Sequence, residues 1–173
     1  MTQTVRITPT FKNFTLRKVT TFLGHEGEEL TQADVLYKKK LVGRYSESDW
    51  GGPTELRWIS EESDITKEAQ KVMAQYLKEN QDDEFVVLMD KESIPLRLLE
   101  MRDCLKSFRK VQRKHASKGV VLAELSNGPA IQYECHASQM EEVNRLIEAE
   151  AKKFKSTVRY VNSYFSAEDF IIE

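Results

Sequence analysis

The stretch ADVLYKKKLVGRYSESDWGGPTELRW, residues 33–58, carries the clearest structural pattern in this chain. Ala33, Val35 and Tyr37 recur at every second position, and the lysines at 39–40 then form a predicted turn into a second alternating run. A period of two is typical of paired antiparallel strands. The stretch therefore predicts a β-meander that closes with an aromatic, glycine-rich loop.

The flanking segments extend this pattern. FTLRKVTTF, residues 14–22, alternates apolar and polar residues, as a strand with one wet face does. After the meander the apolar period becomes helical from Ile65 to Leu77. Acidic residues precede this run, where negative charge favours a helix N-terminus. We expect a helix here that ends near Asn80.

The next segment has one ambiguous element and one clear helix. The apolar run at 85–89 is interpreted as a short buried strand, although a helix can have the same pattern. Ser93 and Pro95 then predict a helix start, because proline is tolerated in the first turn. The apolar spacing that follows predicts a helix over residues 96–117, which stops at Gly119.

The last third predicts a hairpin, a helix and a strand. Residues 120–135 form the hairpin, with its turn at 126–128 (Ser-Asn-Gly). Ser138 and Glu141 match a capping box, and the final strand is predicted over 157–164. With the strand at 85–89, the second half runs β-α-β-β-α-β, the order of a ferredoxin-like fold.

The predicted fold class is therefore α+β. A chain of 173 residues suits one domain or two small lobes. We predict an N-terminal β-meander and helix over residues 1–81 and a C-terminal ferredoxin-like lobe over 82–173, with one continuous domain as the alternative.

Composition favours a cytoplasmic protein. Charged residues make up 31% and hydrophobic residues 40% of the chain, and no apolar run approaches the roughly 20 residues of a membrane span. The N-terminus lacks the apolar core of a secretory signal. Cys104 and Cys135 are too few for a disulfide scaffold, so we expect reduced thiols, with a bridge between them as the alternative.

The net charge of -2 conceals two segments of opposite sign. Residues 61–92 contain ten acids and four bases, whereas residues 95–118 contain eight bases and two acids. Either these segments pack near one another, or each presents a field of one sign to a partner. The acidic segment of one copy of the chain can also bind the basic segment of another copy. A homo-oligomer is therefore an expected alternative.

The predicted helix over 96–117 carries its bases opposite its apolar side. We call these six residues the basic face: Arg102, Lys106, Arg109, Lys110, Arg113 and Lys114. Such a face can neutralise the phosphates of a nucleic acid, or it can dock on an acidic protein surface. The solvent-exposed side of an ordinary amphipathic helix can have the same composition.

The loop at residues 49–53, Asp-Trp-Gly-Gly-Pro, is a second candidate contact site. Paired glycines let a backbone approach a partner closely, and Trp50 offers a large contact area. The alternative is a wide hairpin connection with Trp50 folded onto the sheet. The loop does not match a phosphate-binding loop, because no helix with lysine and serine or threonine follows it.

Two groups of residues contain side chains that are common in catalytic and metal sites. His25 lies among Glu26, Glu28 and Glu29, which can in principle hold a cation or abstract a proton, but the spacing matches no metal-binding motif and predicts a solvated turn. Cys135 and His136 are neighbours on a predicted strand and so point to opposite faces. We predict no catalytic residues, no metal and no cofactor.

The arrangement of parts resembles small uncharacterised proteins of bacteriophages and prokaryotic mobile elements. The resemblance rests on YKKKLVG at residues 37–43 and SESDWGGP at 46–53. The long basic helix departs from the usual pattern. The resemblance implies no catalytic residues, and it implies an accessory factor that binds a host protein, in some cases to blunt an antiviral defence.

The sequence thus leads to one functional hypothesis and two alternatives. We expect a non-enzymatic intracellular protein, located in the host cytoplasm, that binds a host protein through Trp50 and the basic face. The first alternative is a nucleic-acid-binding protein that uses the basic face. The second is a metal-dependent hydrolase built on His25 and its carboxylates.

Overall fold

The computed structural model of the chain describes residues 7–48, 54–82, 86 and 90–173. It confirms the α+β class. The strands are β1 Thr10–Phe11, β2 Phe14–Leu23, β3 Glu29–Tyr37, β4 Lys40–Ser46, β5 Glu55–Trp58, β6 Lys118–Leu125, β7 Ile131–His136, β8 Val158–Tyr164 and β9 Ile171–Ile172. The helices are α1 Asp64–Glu79, α2 Ser93–Lys114 and α3 Met140–Lys153, and short 3₁₀ turns cover Asp90–Glu92, Ala137–Gln139 and Glu168–Phe170.

The chain divides into two compact units. One contains Thr8–Glu100 with Ile172–Glu173, and the other contains Met101–Ile171 with Ile7, so that the division falls within α2. We call them the N-terminal and C-terminal units. The boundary predicted between residues 81 and 82 stays a prediction. Across the part of the chain that is described, no helix has both the length and the apolar character needed to cross a membrane.

The N-terminal unit is built on a six-stranded sheet with the order β5-β4-β3-β2-β1-β9. Strands β2 to β5 form the antiparallel meander that the sequence predicts. The turn between β3 and β4 lies at Lys38 and Lys39, one residue before the predicted position. Both residues have positive φ, 47° and 66°. A two-residue hairpin turn with φ positive at both positions matches the right-handed twist of its strands.

Helix α1 packs on the middle of this sheet. The Ser63 side chain accepts a hydrogen bond from the Thr66 N–H at 3.3 Å and so caps the first turn. Ala69 and Met73 are buried on the side that contacts β3 and β4. The helix ends at Glu79 with Asn80 as its C-cap, which confirms the predicted end.

The C-terminal unit contains a three-stranded sheet with the order β7-β6-β8. Both neighbours are antiparallel to the central β6, so β7 and β8 run parallel to each other, with α3 between them in the chain. The predicted order of helix, two strands, helix and strand is confirmed. In a ferredoxin-like sheet the first and third strands are central and the second lies at an edge, whereas here β6, the second strand of the predicted order, lies between β7 and β8.

The two faces of this sheet bury different helices. Val120 packs with Phe108 and Val111 of α2 and with Tyr164. Its neighbour Val121 belongs to a second cluster, which includes Val143 and Ile147 of α3 and Cys135 of β7. Because successive strand residues point to opposite faces, β6 is covered by α2 on one side and by α3 on the other.

Two local predictions need correction. The strand predicted at 85–89 lies outside the described residues except for Val86, which is buried and helical. A short apolar run does not distinguish a buried strand from a buried helix. The capping box predicted for Ser138 and Glu141 is wrong, because α3 begins only at Met140. Instead the Gln139 side chain accepts a hydrogen bond from the His136 N–H at 2.9 Å.

Candidate functional site

The predicted basic face lies on the outer side of α2. This helix is anchored by a buried apolar side that includes Leu98, Met101, Leu105, Phe108 and Val111. Of the six cations, Arg102 is half-buried and five are exposed: Lys106, Arg109, Lys110, Arg113 and Lys114. Because the apolar side fixes the rotation of the helix, the cations are held outward.

Four of these cations follow one line along α2. Arg102, Lys106, Arg109 and Arg113 are separated by steps of four, three and four residues. Residues three and four apart are neighbours on a helix surface, so the four side chains form a stripe. At about 1.5 Å of rise per residue, the stripe is about 16 Å long. Such a stripe can contact several negative groups at once.

Most of the basic face has no counter-charge within the part of the chain that the structure describes. Lys106 Nζ lies 2.7 Å from Asp103 Oδ1, and Arg109 Nη2 donates to the Ile7 carbonyl oxygen at 3.3 Å. The remaining four cations make neither an ion pair nor a hydrogen bond to any described residue: Arg102, Lys110, Arg113 and Lys114. Their positive charge is therefore available to an external partner.

The acidic segment at residues 61–92, in contrast, is partly neutralised within the N-terminal unit. Glu68 Oε1 accepts a hydrogen bond from Lys38 Nζ at 2.6 Å, and Glu79 Oε2 accepts one from Lys12 Nζ at 3.4 Å. The buried Glu92 carboxylate accepts a hydrogen bond from the backbone N–H of Leu56 in the edge strand β5 at 3.0 Å. These three acids therefore form contacts that stabilise the N-terminal unit, to which they belong.

The pKa values of the paired groups follow from these bonds. The hydrogen bond from Lys38 lowers the pKa of the Glu68 carboxyl below its ordinary 4.5. The same bond raises the pKa of Lys38 above its ordinary 10.5. Hydrogen bonds from Gln75 and from Lys12 lower the pKa of Glu79. These bonds thus favour the charged form of Glu68 and Glu79.

Trp50 and its loop, residues 49–53, lie outside the described residues. Their predicted contact with a partner stays a prediction. The adjoining strand ends contain a polar cluster that sequence patterns do not reveal. Tyr45 Oη donates to Glu47 Oε1 at 2.8 Å, and burial, followed by this bond, raises the pKa of Tyr45 far above its ordinary value.

The His25 turn has the geometry of a solvated connection. His25 is exposed, and the Glu28 carboxylate accepts a hydrogen bond from the backbone N–H of Glu26 at 2.9 Å. The Gly24 N–H donates to the Glu28 carbonyl oxygen at 2.8 Å and closes the turn. Among the residues that the structure describes, no three His, Cys, Asp or Glu side chains are grouped to hold a metal ion.

Cys104 and Cys135 are both buried, and neither forms a disulfide. Burial raises the pKa of the Cys135 thiol above its ordinary 9.0, which reduces the fraction of reactive thiolate. The Nδ1 atom of the adjacent His136 lies 3.2 Å from the Ser117 carbonyl oxygen. The environment of Cys135 therefore disfavours a role as an activated nucleophile.

The structure also brings together a set of charges that the sequence analysis missed. Arg17, Lys18 and Arg44 surround the carboxylate of Asp34 on the sheet of the N-terminal unit. The signal was present in the alternation of the meander, since these residues occupy polar positions of predicted strands. Their proximity depends on the register of the strands, which no pattern within one strand specifies.

Comparison with protein-family models, with curated proteins and with solved structures finds no match to this chain.

Proposed function

We propose that this protein is a non-enzymatic binding factor that docks the basic face of α2 onto an acidic surface of another protein. The observation that supports the proposal is the charge of that face, most of which has no counter-charge among the described residues. Arg102, Lys110, Arg113 and Lys114 form no ion pair or hydrogen bond with any of those residues.

The construction of α2 suits such a role. Phe108 and Val111 are packed against the C-terminal sheet, so the helix is a rigid support for its exposed bases. Surface charges that face a partner of opposite sign accelerate encounter and orient the complex. The face thus offers long-range attraction from a helix whose backbone is fixed by packing.

A protein partner fits this surface better than a nucleic acid does. Asp103, whose side chain is 70% exposed, lies beside Lys106 and interrupts the cations of the basic face. A mixed face of this kind matches a protein surface that presents acids together with some bases.

The likeness to proteins of bacteriophages and mobile elements gives the proposal its setting. In that setting the partner is a host protein, and a component of a host defence is one class of candidate. Trp50 belongs to the proposal as a contact predicted from the sequence alone. The cytoplasm of the host cell is the proposed site of action.

The test is affinity capture with charge-matched variants. The immobilised protein is exposed to bacterial lysate, with and without nuclease, and captured proteins are identified by mass spectrometry. The test variant carries Arg109→Gln, Arg113→Gln and Lys114→Gln. The control removes the same charge from exposed lysines of α1, with Lys67→Gln, Lys71→Gln and Lys78→Gln.

We expect one partner to be captured by the wild type and by the α1 control, and lost by the α2 variant. Retention of that partner by the α2 variant would contradict the proposal. Loss of capture after nuclease treatment would assign the face to a nucleic acid, and capture of only the chain itself would assign it to self-association. Sedimentation at two salt concentrations distinguishes this last case.

A further inference from the structure

A second cationic surface crosses the sheet of the N-terminal unit. Arg17 on β2 is the register partner of Asp34 on β3, Asp34 is the partner of Arg44 on β4, and Arg44 is the partner of Arg57 on β5. Residues directly opposite one another in a sheet point to the same face. The four side chains therefore stand in one row, and with Lys18 we call them the arginine row.

Asp34 organises one end of this row. Arg17 Nη2 and Lys18 Nζ lie 3.3 Å and 3.7 Å from Asp34 Oδ2, and Arg44 Nε lies 3.8 Å from Oδ1. The Asp34 side chain is only 12% exposed, whereas those of the three bases are 53%, 74% and 72% exposed. One carboxylate thus positions three cations and leaves most of their charge facing outward.

Two features of the row oppose stability. Arg44 stands directly opposite Arg57, and like charges in that position destabilise a sheet. Arg57 pairs with Glu55 on its own strand at 2.8 Å, which leaves four bases and two acids in the cluster. Lys18 has a φ of 51°, a conformation that is uncommon outside glycine, at a register shift of β2. The pairing of Arg44 with Arg57 and the placement of Lys18 both put positive charge on the face of the sheet that carries Asp34.

We propose that the arginine row binds the phosphodiester backbone of duplex DNA. Adjacent strands are about 4.8 Å apart, so the row from β2 to β5 extends about 14 Å. This length corresponds to roughly four steps of one DNA strand at about 3.4 Å each. A guanidinium group can hold a phosphate through two parallel hydrogen bonds. The site is independent of the basic face, and it goes beyond the function proposed for α2.

The chemistry of the row favours the backbone of a duplex over single-stranded nucleic acid. Proteins that bind single strands stack the bases on aromatic side chains. The row itself consists of four bases and one acid, so it offers charge and hydrogen-bond donors but no stacking surface. Binding should therefore depend on salt and be indifferent to base sequence.

The experiment is fluorescence anisotropy with a short labelled duplex of arbitrary sequence, titrated at several salt concentrations. The test variant is Arg44→Gln with Arg57→Gln, and the matched control is Lys71→Gln with Lys78→Gln, two exposed lysines of α1 that belong to neither cationic surface. We expect the row variant to lose roughly tenfold in affinity for each guanidinium removed. Its slope of log affinity against log salt should become shallower by about two. The control should bind as the wild type does.

A third variant, Arg44→Lys with Arg57→Lys, separates charge from geometry. It keeps the positive charge but not the planar guanidinium group with its paired donors. The slope of log affinity against log salt should therefore return to the wild-type value, while the affinity stays below that of the wild type. Circular dichroism and thermal unfolding confirm that each variant is folded. All substituted side chains are exposed, so we expect native spectra.

Four results would overturn the assignment. They are no binding of duplex at low salt, equal loss of binding in the control, tighter row-dependent binding of a single strand, and competition by polyglutamate as effective as that by DNA. The last result would make an acidic protein segment the ligand. Because capture of a protein partner is tested on α2, failure of either proposal can be distinguished from failure of the other.

Discussion

The two cationic surfaces of this protein are built in opposite ways. The basic face belongs to one helix, and most of its cations have no counter-charge among the described residues. The arginine row is assembled from four strands, and three of its cations surround the carboxylate of Asp34. The basic face exists because one segment of the chain is rich in bases. The arginine row exists because strand register brings together residues from four strands.

This difference has a physical consequence for binding. Unpaired exposed cations keep their rotamer freedom, so the basic face can adapt to a partner but must order its side chains on binding. Cations held by a carboxylate have already lost part of that freedom, so the row is better prepared for a ligand of fixed geometry. Three variants test this comparison.

The largest expected effect comes from the buried side of α2. Phe108 packs against Phe170 with 5.5 Å between ring centroids, in the cluster that holds the helix on its sheet. Phe108→Ala should lower the free energy of unfolding by about 3 to 5 kcal/mol, because it leaves a cavity. Urea unfolding measures the change.

A matched control for this substitution is Phe154→Ala, since Phe154 is 41% exposed. Its effect should stay within about 0.5 kcal/mol, as for most surface positions. Similar losses for the two variants would mean that α2 is not anchored by its apolar side. The basic face would then lack the rigid support assumed above.

A smaller effect is expected from the organising carboxylate of the arginine row. Asp34→Asn should lower the free energy of unfolding by about 1 kcal/mol, because three neighbouring cations lose their counter-charge. The loss should shrink as salt is added, since salt screens the repulsion among exposed charges. Glu62→Gln is the control, because the Glu62 side chain is 98% exposed. If the effect of Asp34→Asn were no larger than that of the control, Asp34 would not hold the cations of the arginine row. The difference between the two surfaces would then be contradicted.

The smallest effect concerns the pair of Lys38 and Glu68. Because the pKa of Glu68 is lowered in the folded state, its contribution to stability is present above its ordinary 4.5 and is lost as pH falls through the lowered value. Because the pKa of Lys38 is raised, its contribution is full below 10.5 and is lost as pH rises through the raised value.

Glu68→Gln should therefore destabilise the protein slightly between these limits, and the difference from wild type should fade at acidic pH. Unfolding curves at several pH values measure it. Lys110→Gln is the comparison, because Lys110 is an exposed cation of the basic face with no ion pair to a described residue. A pH-dependent loss of similar size in Lys110→Gln would indicate a partner for Lys110 and contradict its assignment as unpaired.

Several elements were predictable because their signals are local. Helix α1 ends where its apolar stripe stops, at Glu79 with Asn80 as the cap. Pro95 lies in the first turn of α2, as the sequence indicates. The basic face was predictable too, because six cations within one amphipathic helix must share the side opposite its apolar residues.

Other elements depend on longer-range packing. The run at 85–89 is predicted as a strand, whereas Val86 is helical, because burial of a short apolar run is compatible with either secondary structure. Strand β6 lies between β7 and β8. Local propensity indicates that each segment is a strand, but it does not specify which strands become neighbours. The turn at Lys38 and Lys39 required positive φ at two lysines, which the preferences of turn residues do not favour.

By itself the amino-acid sequence determined the α+β class, the positions of the main helices and the opposite charges of two neighbouring segments. Only the tertiary structure decided where those charges find partners. Acids of α1 pair with lysines in two turns between strands, and Arg17, Arg44 and Arg57 line up although they are far apart in the chain. The reason is that periodicity sets the face on which a side chain lies, whereas strand register sets its neighbours.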